Sequence, residues 1–552
     1  MSGDTFVARR WLLVLFALFT VAWFSTLDYR KLIKPDEGRY AEIAREMAVS
    51  GDWVTPRLNG IKYFEKPPLQ YWMTAAAFRA FGENEWTARL WTGVTGFAGV
   101  LLTLLVGRRL FGPDTAVLGS AILASSLFYL AMGHFNALDM GLAFFLHLAL
   151  CGFLIANQRD TPPAAARRWM LATWAGLALA VLSKGIVALV LGGGTLVAYS
   201  LLARDFAPWR RLELARGLPL FLLLTAPWFI AVSLVNPEFP RFFFIHEHFE
   251  RFLTPVHRRT QPWWYFAPVL AFGALPWTLI VLQGLAAAWR DADRSAFRPR
   301  LFLGVWIVVV FAFFSLSSSK LPSYILPLFP ALAWLAADAA RGWTQRALMI
   351  HFGVVLALAL AALGFLPQIT RYADEETPYA LLLDYSHWLA WGAAIWLAGA
   401  LGALLLAWRR RPQLALVSLA VAAFIGNTLY LQGHEKLAVS NSAYHIARQV
   451  EPMLRPGVPF YSVNMYEQTL PFYLRRTVTL VDYADEMEFG LRQEPEKWIP
   501  TQEEFEARWR RDADAFAVMK KDRFRELGQR GLPMDVVAED PRRIIVRKPQ
   551  QP

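Results

Sequence analysis

Over its first 431 residues the chain alternates long apolar runs with short polar breaks, and beyond them the pattern changes to brief alternating segments. A helix needs about 20 mostly apolar residues to cross the hydrocarbon core of a bilayer. Windows of that kind fall at 11–27, 87–107, 115–134, 138–157, 169–183, 186–203, 217–235, 264–288, 301–316, 324–340, 346–366, 387–408 and 412–431, which predicts thirteen transmembrane helices. Beyond 431, VPFYSVN, RTVTLVDY, AFAVMKK, MDVVAED and RRIIVRK read as strands, while TQEEFEARWRRD and DRFRELGQRG carry helical periodicity. The expected architecture is an α-helical polytopic membrane domain over 1–431 and a soluble α/β domain over 432–552.

Composition agrees, since 56% of residues are apolar and only 18% charged, a balance foreign to soluble domains. A net charge of +12 in a soluble chain would point to nucleic acid, but here the basic residues form short clusters between apolar runs. Taking the connections alternately, one set holds Arg9 and Arg10, Arg108 and Arg109, Arg167 and Arg168, Arg204 to Arg216, Arg290 to Arg300, Arg341 and Arg346, and Arg409 to Arg411. Such an excess marks the cytoplasmic side. The N-terminus is therefore expected in the cytoplasm, as an uncleaved anchor without a small-residue cleavage site. An odd number of spans then puts the C-terminal domain outside, together with every lysine of the chain. The lone Cys151 excludes an internal disulfide and a cysteine metal cluster.

Four outer connections carry unusual chemistry. The first contains KPDEGRYAEIAREM (34–47), with Asp36, Glu37, Arg39, Glu42, Arg45 and Glu46 on a helix whose Tyr40, Ile43 and Met47 share one face. That pattern predicts a helix lying on the membrane surface, apolar stripe down and charges in water. Asp36 stands at the helix start, as an N-cap or as a catalytic carboxylate, and the two roles are compatible. LNGI (58–61) predicts a tight hairpin turn. YFEKPP then holds Tyr63, Glu65 and Lys66 stiffly before two prolines. A lysine so placed suits a lipid phosphate. Snorkelling to the headgroups explains its position but not its stiffness.

The second connection, MGHFNALDMG (132–141), sets Asp139 at the edge of a span, either as a helix cap or as a functional carboxylate. The third, EFPRFFFIHEHFERFLTPVHRRTQPWWY (238–265), spaces His246 and Glu250 at i, i+4, with Arg251 following. His246 and Glu250 at that spacing can share a divalent metal but fall short of a full ligand set, and Glu65 from the first loop is a further candidate ligand. The fourth, SLSSSKLPSYILPLFPALA (315–333), offers serines, Lys320 and Tyr324 as donors to phosphate oxygens, with Lys184 on the same side. These segments contain no nucleotide-binding glycine loop, G-x-S-x-G or H-E-x-x-H pattern.

DEGRYAEIAREM, YFEKPPLQYW, FNALDM, LSKG and SSSKLPSYILPLFPALA together resemble the bacterial lipid A aminoarabinose transferases, the ArnT family, along roughly residues 10–430. DEGRY combined with YFEKPPL is the specific part. The resemblance implies the C-type glycosyltransferase fold and a donor of undecaprenyl phosphate carrying 4-amino-4-deoxy-L-arabinose. It implies transfer, with inversion, onto lipid A phosphates at the periplasmic face of the inner membrane, and resistance to polymyxin. Asp36 and Asp139 are the carboxylates it marks as catalytic, and Lys66, Arg251, Tyr63, Tyr324, Tyr40 and Lys320 surround the donor phosphate. No cofactor is required by that chemistry, and a divalent metal at His246 and Glu65 is a secondary expectation. The expected partners are the lipid-linked sugar, lipid A and membrane lipids, with no nucleic acid, and the chain is expected to be monomeric.

Because an acceptor phosphate is ionised at neutral pH, a strong base is needed less than for a hydroxyl. The acids then orient the acceptor, bind the sugar's ammonium or stabilise oxocarbenium character. A protein O-mannosyltransferase or another lipopolysaccharide sugar transferase shares the fold with a different acceptor. A flippase or transporter usually places ionisable groups near the bilayer midplane, where these spans carry almost none.

Overall fold

The computed structural model describes residue 14 and residues 16–250, 261–289 and 297–550. Among these, eight helices are long and apolar enough to cross a bilayer: Glu85–Leu110, Leu138–Ala156, Leu214–Val235, Pro299–Leu316, Pro322–Ala340, Gln345–Tyr372, Tyr379–Trp408 and Pro412–Asn441. Phe266–Gly273 with Thr278–Ala288 makes a ninth when the two pieces, bent by 115°, are taken as one span. The bend falls at Pro276, which has no N–H to continue the helical ladder. The other four expected windows lie on helix that fails the same test. Window 11–27 is described as helix over Phe16–Ser25, with residues 11–13 and 15 outside the described residues; Val187–Ala203 is short, Pro113–Ser125 breaks at Ser126 before Leu127–Met132, and Pro163–Lys184 opens on Pro, Ala and two arginines. Against thirteen expected windows, eight or nine helices among the described residues qualify as spans by length and composition.

A hairpin of β1 (Arg57–Leu58) and β2 (Ile61–Lys62) turns at Asn59 and Gly60, both at positive φ (56° and 75°), as LNGI predicts. Asn59 then docks the hairpin on the C-terminal domain, donating to the Val478 carbonyl at 2.7 Å and accepting from its amide at 2.8 Å.

The C-terminal domain carries one six-stranded sheet in the order β5-β4-β3-β6-β8-β7. Its strands are β3 (Phe460–Val463), β4 (Thr479–Val481), β5 (Trp498–Ile499), β6 (Phe516–Lys520), β7 (Asp535–Glu539) and β8 (Arg543–Arg547). The first four in spatial order run parallel, and β8 and β7 are antiparallel. Successive side chains of a strand point to opposite faces. Tyr461, Val463, Val481 and Met519 accordingly pack under Phe505, Trp509 and Leu527 of the domain's own helices. Phe460, Leu480, Phe516 and Val518 belong to a second core that takes in Tyr40, Ile43, Tyr63 and Tyr71 from the first loop region.

Helix Asp36–Ser50 lies in that second core, which overturns its expected place on the membrane surface. Ten of its residues between Glu37 and Met47 are buried. Tyr40, Ile43 and Met47 pack among Tyr63, Tyr71, Leu470 and Phe472 instead of on lipid. Gly38 permits the approach, because a methyl group there would stand 2.7 Å from the Gln468 carbonyl oxygen. The charges are satisfied by partners rather than by water. Glu42 holds Arg45 through two bonds of 2.7 Å, and Glu46 accepts the Gly60 amide at 2.8 Å.

Candidate active site

Pro35 occupies the N-cap position of helix Asp36–Ser50, and no side chain caps it. Asp36 is instead the first helical residue, with its side chain 44% exposed. It accepts a 2.6 Å bond from Nη1 of Arg39, three residues on and hence on the same helix face. The Nη2 end of Arg39 pairs with Glu486 of the C-terminal domain, and Glu486 also accepts from Gln468 at 2.9 Å. Burial opposes the Arg39 charge, but the Glu486 and Asp36 carboxylates paired with it outweigh that cost and keep the guanidinium protonated. Burial, reinforced by nearby carboxylates, pushes the phenols of Tyr40, Tyr63 and Tyr71 up, so they stay neutral. The buried Tyr71 hydroxyl has no hydrogen-bond partner among the described residues.

Lys66 lies beside this group. Its Nζ donates to the Glu65 carbonyl at 2.7 Å and to Glu247 Oε2 at 3.0 Å, with the Glu65 carboxylate 3.9 Å away. Lys62 makes a parallel link to Glu238 at 2.7 Å. The hairpin and the loop after it are therefore pinned to residues 238–247, and Arg241–Glu250 winds as a π-helix. His246 stacks on Phe242 there, ring centroids 5.2 Å apart. The wider winding replaces the α-helical register on which the expected His246 and Glu250 spacing rests. The Glu250 side chain and Arg251 lie outside the described residues. Among the described residues no three His, Cys, Asp or Glu come together to hold a metal ion.

Asp139 caps nothing: Ala137 is the N-cap of helix Leu138–Ala156, and the Asp139 carboxylate pairs with Lys184. The Lys184 ammonium also lies 4.6 Å from the ring centroid of Tyr324. Lys320 is buried, its Nζ donating to the Ser317 carbonyl at 2.5 Å. His134 is internal, set between the carbonyls of Leu130 and Trp23.

Glu37 ties the two carboxylate regions together. Its Oε1 accepts from Arg89 Nε at 2.6 Å and from the Asn136 amide at 3.0 Å, and its Oε2 from Arg89 Nη2 at 2.8 Å and the Ile33 amide at 3.1 Å. Glu37 directly follows Asp36, while Asn136 stands three residues before Asp139. Leu138 packs in the core that holds Tyr40, Tyr63 and Tyr71.

Both parts of the chain match known families. Residues 9–290 match the dolichyl-phosphate-mannose-protein mannosyltransferase model, and residues 446–548 match the aminoarabinose transferase C-terminal domain. An undecaprenyl phosphate-alpha-4-amino-4-deoxy-L-arabinose arabinosyl transferase of Pseudomonas paraeruginosa is 36% identical over 407 residues, 70% of this chain and 71% of the relative. The chain belongs to the aminoarabinose transferase family. A second such transferase, from Pseudomonas fluorescens, is 32% identical over 523 residues, 88% of each chain. The crystal structure of ArnT from Cupriavidus metallidurans bound to undecaprenyl phosphate matches with a TM-score of 0.94 at 40% identity, covering 99% of this chain and 100% of that one.

For a member of the aminoarabinose transferase family, the structure gathers Asp36, Tyr40 and Tyr63 around Arg39, and Asp139 with Tyr324 around Lys184. Lys66 is set on Glu247. Sequence reasoning missed Arg39, Glu247 and Glu486 as site residues. The i, i+3 spacing of Asp36 and Arg39 was a usable signal for the first. Nothing in the local pattern marks Glu486, whose partner lies at the other end of the chain.

Proposed function

We propose that the chain moves 4-amino-4-deoxy-L-arabinose from undecaprenyl phosphate to a phosphate of lipid A at the periplasmic face of the bacterial inner membrane. The observation that carries this reading is the end-to-end likeness to a protein crystallised with undecaprenyl phosphate. In the reaction the bond between the anomeric carbon and the undecaprenyl phosphate oxygen breaks, and an acceptor phosphate oxygen bonds to that carbon from the opposite side. Undecaprenyl phosphate leaves with the bonding electrons. Lys66 and Arg251 neutralise the charge that develops on it, and Tyr40, Tyr63, Tyr324 and Lys320 supply further donors. The acceptor arrives ionised, so Asp36 acts electrostatically, favouring positive character at the anomeric carbon while Arg39 holds it in place. No cofactor is called for.

The mannosyltransferase match over residues 9–290 favours a second reading, transfer to a protein hydroxyl. Incubating membranes that contain the chain with the lipid-linked aminopentose, lipid A and a serine-rich peptide separates the two. Lipid A heavier by one aminopentose supports the proposal. Sugar on the peptide alone rejects it.

A further inference from the structure

Asp139, Lys184 and Tyr324 come from three separate parts of the chain and meet at one point. Asp139 opens helix Leu138–Ala156 and Lys184 closes helix Pro163–Lys184, both side chains at least 86% buried. The Lys184 ammonium sits on the Asp139 carboxylate and over the face of Tyr324, 4.6 Å from the ring centroid. A carboxylate set against an aromatic face is an arrangement that recognises an alkylammonium ion. Here the protein's own ammonium fills it.

Building on the donor proposed above, we propose that Lys184 is a placeholder, and that Asp139 with the ring of Tyr324 takes the ammonium of the donor's aminopentose. The donor brings an ammonium and an anionic phosphate together. If the sugar's ammonium displaces Lys184 from Asp139, the freed lysine pairs with the phosphate, and no buried charge is left alone. Lys184 ends its helix and carries a flexible four-carbon stem, so the exchange requires rotation about side-chain bonds only. Asp139 then determines specificity for an amino sugar over a neutral one, a role distinct from that of Asp36.

The test uses the full chain in nanodiscs with two undecaprenyl-phosphate pentose donors, one with an amine at position 4 and one with a hydroxyl. The quantity read is the ratio of kcat/KM between them. Wild type favours the amine by at least about tenfold, as expected for an ammonium on a partly buried carboxylate. Asp139→Asn brings the ratio to about one, and Tyr324→Leu, which changes no charge, lowers it roughly three- to fivefold. Lys184→Met raises KM for the amine donor, whose phosphate loses the freed lysine, and keeps the preference for the amine, since Asp139 and Tyr324 remain. Equal losses on both donors in Asp139→Asn, with the ratio unchanged, overturn the proposal, as does collapse of the ratio in Lys184→Met. A wild-type chain that uses neither donor rejects the transferase reading itself, and the inference with it.

Discussion

Replacing Glu37 with glutamine removes one charge from the junction between the Asp36 helix and the loop before Asp139. Its carboxylate accepts four hydrogen bonds between 2.6 and 3.1 Å, two of them from Arg89, whose side chain is wholly buried. Removing one partner of a buried ion pair costs about 3–5 kcal/mol, because the other charge is left uncompensated. Arg89 would still donate to the carbonyls of Leu27, Arg30 and Lys31 at 2.8, 2.6 and 3.0 Å. That places the expected loss at the lower end, about 3 kcal/mol. Thermal melting in detergent, followed by turnover on lipid A, reads both consequences: Glu37→Gln melts several degrees lower and turns over more slowly. The double variant with Arg89→Met recovers part of the stability, since it removes the stranded charge. The pH dependence has a definite sign. Burial pushes the Glu37 carboxyl up, but Arg89, Arg30 and the Asn136 amide outweigh it and hold it below the ordinary value. Its contribution is therefore complete above the unfolded value of about 4.3 and is lost as pH falls through the folded value. The gap between wild type and Glu37→Gln should stay constant from about pH 6 upward and narrow in acid. A Glu37→Gln variant that melts with wild type at neutral pH, or a double variant worse than both single ones combined, would refute the reasoning.

Burial and the neighbouring Glu42 carboxylate push Glu46 up to about 8. The unfolded chain thus releases a proton that the folded chain keeps, and stability falls as pH rises from about 5 to about 8. Glu46→Gln should flatten that part of the melting-temperature profile, and an unchanged slope would count against it. Gly38→Ala should drive the helix from the Gln468 backbone at a cost of about 1–3 kcal/mol, seen as faster proteolysis between the membrane part and the C-terminal domain. Wild-type resistance would mean that the interface yields freely. Lys66→Ala should raise KM for the donor by about tenfold or more through loss of a charge-assisted phosphate contact. An unaltered KM would remove Lys66 from the donor site.

Helical spans, the Asn59–Gly60 hairpin turn and most strands of the C-terminal sheet were legible because each is a local pattern. An apolar run, a turn that tolerates positive φ and a two-residue alternation are written in neighbouring residues. The motifs also singled out Asp36, Lys66, Asp139 and Tyr324, which the folded chain places in or beside the two clusters. The setting of KPDEGRYAEIAREM was not legible, because a charged helix face looks the same whether it meets water or another protein surface. Only the tertiary structure turned that face inward, against hairpin and C-terminal domain, where Arg39 finds Glu486 and Glu37 finds Arg89. Composition determined that the chain enters a membrane and local periodicity determined its elements. Glu42 and Arg45 pair within one helix turn, but the partners of Glu37, Lys66 and Asp139 were decided by contacts between distant parts of the chain, because a buried charge takes the nearest opposite charge in space and not in sequence.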